Sequence, residues 1–113
     1  MIAGEQSADN HGSAIINEIK KMNENIKFIG IGGKKMIASG LHSIENINRL
    51  SVMGFVEVLK HLFFFKKLTK KVLHVINQHK PDQIILIDYP GFNLHLAKKI
   101  KKNHNIPITY YIS

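Results

Sequence analysis

Two short polar clusters in this 113-residue chain hold most of the side chains able to do chemistry. One is Asp88-Tyr89-Pro90-Gly91-Phe92-Asn93, directly behind the apolar run Ile84-Ile85-Leu86-Ile87, and the other is Gly4-Glu5-Gln6-Ser7-Ala8-Asp9, behind Met1-Ile2-Ala3. Asp88 stands out, because a carboxylate immediately after four apolar residues is poorly solvated, the setting a general base requires. A turn or N-cap role ahead of Pro90-Gly91 is the competing reading. Glu5 and Asp9 read first as a capping pair, with Ser7 or Asp9 as N-cap of the helix that follows. Gly4 with Ser7 allows a backbone nest for an anion at that helix N-terminus. Neither this loop nor Gly30-Ile31-Gly32-Gly33 completes a dinucleotide or P-loop fingerprint, and the second reads as a strand-end turn. None of the seven histidines pairs with another at helical spacing, and there is no cysteine, so no metal site or disulfide is expected. A Ser7, His11, Asp88 triad is disfavoured, since Ser7 lacks the G-x-S-x-G setting.

These clusters matter only if strands present them at one edge of a fold. Short apolar runs alternate with helical patterns along the chain. Strands are predicted at Met1 to Ala3, Ile26 to Ile31, Leu41 to Ile44, Gln83 to Ile87 and Ile106 to Ile112. Helices are predicted over residues 11–23, Lys34 to Ser39 with Gly40 as C′, about 55–79 with Pro81 as the stop, and Leu94 to Asn103. The uninterrupted Ile84 to Ile87 run marks a strand buried on both faces of a parallel sheet. A βαβαβαβαβ order predicts an open, doubly wound α/β sheet, in which ligands gather outside the carboxyl ends of the strands. Both polar clusters fall there. The short first strand and a last strand reaching Ser113 without a closing element give the expectation of a segment from a longer protein.

Composition narrows the function further. At 44% hydrophobic and 21% charged residues, the chain suits one soluble globular domain and is too apolar for a disordered tail. The net charge of +8 is distributed unevenly. Residues 1–57 carry six bases and six acids, whereas residues 58–113 carry ten and two, so the second half holds the entire excess. A polyanionic partner is expected there, with a merely solvated lysine face as the alternative. The opening residues show no charged n-region or long apolar segment, and no run approaches a membrane span. A cytoplasmic location is therefore expected, with the membrane surface open.

Residues 55–79 indicate which polyanion. Phe55, Val58, Leu62, Phe65, Val72 and Ile76 supply a core stripe, yet Val56, Leu59, Phe63 and Phe64 widen it beyond one buried face. Lys60, Lys66, Lys67, Lys70 and Lys71 stand beside them, with no acid between residues 58 and 81. Surplus Phe and Leu with lysine is the pattern of an interfacial helix on anionic lipid. Packing under a neighbouring lobe is the other reading of Phe63 and Phe64. Nucleic acid fits less well, because the aromatics are consecutive on a helix rather than spaced on a sheet.

Five blocks carry a family resemblance: Ala3-Gly4-Glu5-Gln6-Ser7-Ala8-Asp9, Gly30-Ile31-Gly32-Gly33 with Met36, Leu50-Ser51-Val52-Met53-Gly54-Phe55-Val56-Glu57-Val58-Leu59, Ile87-Asp88-Tyr89-Pro90-Gly91-Phe92-Asn93, and Tyr110-Tyr111-Ile112-Ser113. In order and spacing they resemble the N-terminal part of lipid-A-disaccharide synthase. The resemblance implies the acceptor-side, Rossmann-like lobe of an inverting GT-B glycosyltransferase over residues 1–113, without its UDP-binding half. The implied reaction joins a UDP-activated diacylglucosamine to diacylglucosamine 1-phosphate (lipid X) at the cytoplasmic face of the Gram-negative inner membrane, with no cofactor. It further implies Asp88 as general base and Glu5, Ser7, Asp9 and Asn93 as substrate-binding residues. Met53, Phe55, Val56, Leu59, Leu62, Phe63 and Phe64 match the apolar patch that meets lipid. Ala8 departs from the family's usual glycine, which would crowd the backbone if φ there were positive. Lacking the nucleotide half, the segment alone is not expected to turn over. A non-catalytic module that binds anionic lipid is the second reading.

Overall fold

The computed structural model describes residues 1–46 and 58–113, with side chains for all of these except 46 and 58–63. Five strands, β1 (Ile2–Ala3), β2 (Phe28–Gly32), β3 (Leu41–Asn46), β4 (Ile84–Ile87) and β5 (Ile108–Tyr111), form one sheet. They lie in the order β3-β2-β1-β4-β5 and every pairing is parallel. Between them run α1 (Gln6–Met22), α2 (Lys34–Ser39), α3 (Val58–His79) and α4 (Pro90–Asn103). This is the open, doubly wound sheet that the sequence predicts. Chain order reverses about β1, which is flanked by β2 on one side and by β4 on the other.

Three helices seat on the sheet through the same spacing. Ala8, Gly12 and Ile16 of α1, Leu68, Val72 and Ile76 of α3, and Phe92, Leu96 and Ile100 of α4 are buried at i, i+4, i+8, one stripe on one helix face. Two apolar clusters result, one on each face of the sheet. Ala8, Ile16, Met36 and Leu41 pack with Phe28 and Ile87 under α1 and α2, whereas the α3 and α4 stripes pack with Ile2, Ile31, Ile84 and Leu86 on the opposite face. The lysines follow that division. Lys66, Lys67, Lys70 and Lys71 of α3 and Lys98, Lys99, Lys101 and Lys102 of α4 are all exposed and belong to one layer.

Helix starts differ from the sequence reading in two places, each for a local reason. The structure begins α1 at Gln6 rather than residue 11, and Asp9 N–H donates to Glu5 O at 3.0 Å in a helical i→i−4 bond. Ala8 therefore has a helical backbone, and the expected crowding does not arise; among the described residues only Lys80, Asp88 and Tyr89 have positive φ without being glycine. Helix α4 begins at Pro90, four residues before the expected start. Proline suits the first turn because its fixed φ is helical and its absent N–H would have no partner there.

The Met1 nitrogen donates to Ile29 O at 2.8 Å, which extends the contact of β1 with β2.

Candidate functional site

In a sheet of this topology the ligand crevice opens at the carboxyl ends of the two strands between which chain direction switches, here β1 and β4. Gly4-Glu5 follows β1 and Asp88-Tyr89 follows β4, so the structure brings the two predicted clusters to one edge. They touch. A Cβ on Gly4 would come within 2.9 Å of the Tyr89 ring, which only glycine permits. Burial, and next the nearby Glu5 carboxylate, raise the Tyr89 phenol above its ordinary range.

Asp88 and Tyr89 are both left-handed, with φ of 47° and 49°. Two consecutive non-glycine residues in that region store strain that the surroundings must hold. Asn93 provides one restraint. Wholly buried, it donates through Nδ2 to Asp88 O at 2.9 Å, Ile87 O at 3.2 Å and Ile2 O at 3.4 Å, tying β1, β4 and the turn together. Strand β5 and Ser113 just beyond it provide the rest. Asp88 N–H donates to Tyr111 O, the Tyr110 hydroxyl donates to Asp88 O, and Ser113 N–H donates to Asp88 Oδ1, each at 2.9 Å. Asp88 Oδ2 and Asn93 Oδ1 are buried without a hydrogen-bond partner among the described residues. Each therefore keeps capacity to accept a hydrogen bond.

The remaining predicted residues are divided. Glu5 occupies the N-cap position of α1 with no side-chain cap bond, and Glu5 and Ser7 are exposed at the crevice. Asp9 does not cap its own helix, as the sequence reading had it. It is 2% exposed, and accepts from Gly33 N–H at 2.9 Å, Met36 N–H at 3.0 Å and Lys35 N–H at 3.1 Å, so it caps α2 across the fold. No room remains between them, since a Cβ on Gly33 would stand 2.6 Å from Asp9 Oδ2. A carboxylate 24 to 27 residues upstream of its donors cannot be recognised as a cap from local spacing.

Phe64 is half-buried against the α3/α4 cluster, 6.1 Å from Phe65 between ring centroids. Phe65 in turn stacks near Phe92 at 5.6 Å and Tyr89 at 6.4 Å, an aromatic link from α3 to the Asp88 turn. Met53, Phe55, Val56, Leu59, Leu62 and Phe63 lie outside the residues whose side chains are described. Sequence reasoning singled out neither Tyr110 nor the contact of His11 with Tyr111, whose rings are 5.5 Å apart. Their only signal was Tyr110-Tyr111-Ile112-Ser113 as a block. An apolar groove of about 710 Å³ beside Met1, Val72 and Ile85 sits at the opposite, amino ends of the strands, away from this chemistry. No group of metal-ligating side chains occurs among the described residues, and no described helix is long and apolar enough to cross a membrane.

Comparison with known proteins decides the family, because the model for lipid-A-disaccharide synthetase matches residues 1–113. The chain belongs to the lipid-A-disaccharide synthase family. It is 41% identical over its whole length to lipid-A-disaccharide synthase 1 of Legionella pneumophila (strain Paris), of which it covers 29%. Identity is 44% to the Methylobacillus flagellatus enzyme, 30% of which is covered, and 42% to that of Haemophilus influenzae, 29% of which is covered. The chain thus spans less than a third of these relatives.

Proposed function

We propose that residues 1–113 form the acceptor-side lobe of a GT-B glycosyltransferase that, in its full length, moves a 2,3-diacylglucosaminyl group from UDP to 2,3-diacylglucosamine 1-phosphate. Asp88 Oδ2 carries this reading: it is a carboxylate oxygen at the switch-point crevice that no donor among the described residues pairs. An acceptor hydroxyl donates to it, the hydroxyl oxygen attacks the anomeric carbon with inversion, the proton passes to Asp88, and the bond to the diphosphate breaks to release UDP. Glu5 and Ser7, exposed beside the turn, contact substrate, whereas Asp9 and Asn93 shape the loops that do so. Charge on the departing diphosphate is met by the nucleotide-binding half of the full-length enzyme. The lysine layer of α3 and α4 and the apolar stretch from Met53 to Phe64 bring the enzyme to the anionic cytoplasmic face of the inner membrane, where both lipid substrates reside.

The test is transfer between the two purified glycolipids by a full-length protein carrying this segment. Disaccharide 1-phosphate and UDP should appear in equal amounts, and the 113-residue chain alone should form neither. Release of UDP without acceptor would overturn the transferase reading, and lipid binding with no product would favour a lipid-binding module.

A further inference from the structure

The grip of β5 on Asp88 is asymmetric in a way that bears on function. Asp88 has four polar atoms: its N–H is tied to Tyr111 O, its carbonyl to the Tyr110 hydroxyl, and Oδ1 to Ser113 N–H. Among the described residues, Oδ2 has no partner. The register explains how β5 reaches the first two. Tyr110 lies opposite Leu86 and Tyr111 opposite Ile87, so the long Tyr110 side chain spans two residues up the neighbouring strand to the Asp88 carbonyl. Asn93 Nδ2 donates to the same oxygen, at the same 2.9 Å. Two donors on one carbonyl are more than ordinary satisfaction needs. They fix the peptide plane between two left-handed residues.

We infer that Tyr110 is a positioning residue for the reaction, its hydroxyl holding the Asp88 carbonyl so that Oδ2 alone remains for the acceptor hydroxyl. This rests on Asp88 being the base. Without the phenol, the turn keeps one of its two carbonyl restraints and relaxes, and the carboxylate loses the alignment that proton abstraction requires. The two side chains also sense each other electrostatically: burial, followed by the Asp88 charge, raises the Tyr110 phenol above its ordinary range.

Tyr110→Phe tests the inference, with Thr109→Val as the control that removes a β5 hydroxyl bonded to Gln83 instead. In the 113-residue chain, carbon NMR shifts of Asp88 and Tyr89 should leave left-handed values in Tyr110→Phe and stay in Thr109→Val. In the full-length protein, Tyr110→Phe should lower kcat about fivefold to thirtyfold with acceptor KM unchanged. Unmoved Asp88 and Tyr89 shifts, or kcat within twofold of wild type (about the scatter of a neutral surface change), would overturn it. Far-UV circular dichroism separates either result from misfolding. If Asp88→Asn keeps its rate while Tyr110→Phe still displaces the Asp88 shifts, the general-base reading fails and the structural coupling stands.

Discussion

Asp9→Ala is expected to cost the chain about 3 kcal/mol or more of stability, since hydrogen bonds to a charged group contribute about 1.5 to 3 kcal/mol each and buried donors left unpaired add to the loss. Three backbone N–H groups, of Gly33, Lys35 and Met36, converge on this one carboxylate. The Gly33 and Met36 bonds are buried, so water replaces the lost oxygens poorly. Helix α2 has only six residues and cannot persist by itself. Its loss would unseat Met36, which is wholly buried between α1 and β2 and lies against Gly12 and Gly32. Asp9→Asn, which keeps the shape and one accepting oxygen, should fall between Ala and wild type. Glu5→Ala and Ser7→Ala, both exposed, should change stability by about 0.5 kcal/mol or less. Urea denaturation of the four variants checks this ordering, and a loss below about 1 kcal/mol for Asp9→Ala would contradict the role assigned to it.

The fold was legible because the sequence writes it locally. Ile84 to Ile87 announces a strand buried on both faces, and residues 34–40 announce a short helix with its glycine stop; both stand where expected. The position of the crevice followed from topology alone, since any cluster after β1 or β4 must reach the switch point. What was not legible depends on partners distant in sequence. Asp9 and Ser7 occupy similar polar positions in one heptapeptide, yet one is sealed under α2 and the other exposed; nothing within the loop separates them. Asn93 was expected as a substrate ligand from the family block alone, and nothing local foretells that its Nδ2 donates to three backbone carbonyls, one of them 91 residues away. Tyr110 was unremarkable until β5 was placed in register with β4. Pro90 was read as a turn residue, although its fixed φ also makes it a helix starter, and only the packing of Phe92, Leu96 and Ile100 decides between the two.

Asp88→Asn carries the other large expectation, about 10³-fold lower kcat, within the range by which general bases accelerate such steps. The substitution is nearly isosteric. Its side-chain oxygen can still accept from Ser113 N–H, and its backbone keeps the bonds to Asn93, Tyr110 and Tyr111, so the turn should survive. What it cannot do is take a proton. Substrate binding is largely retained, so KM for the acceptor should stay within about threefold of wild type, as expected when an interaction made only in the transition state is removed. The direct measurement is the steady-state rate of disaccharide formation by Asp88→Asn against wild type in the full-length protein, at saturating glycolipid. A loss near 10³-fold with KM preserved is the result this structure calls for. A rate within about fivefold of wild type would mean that the proton leaves by another route and that Asp88 is not the base.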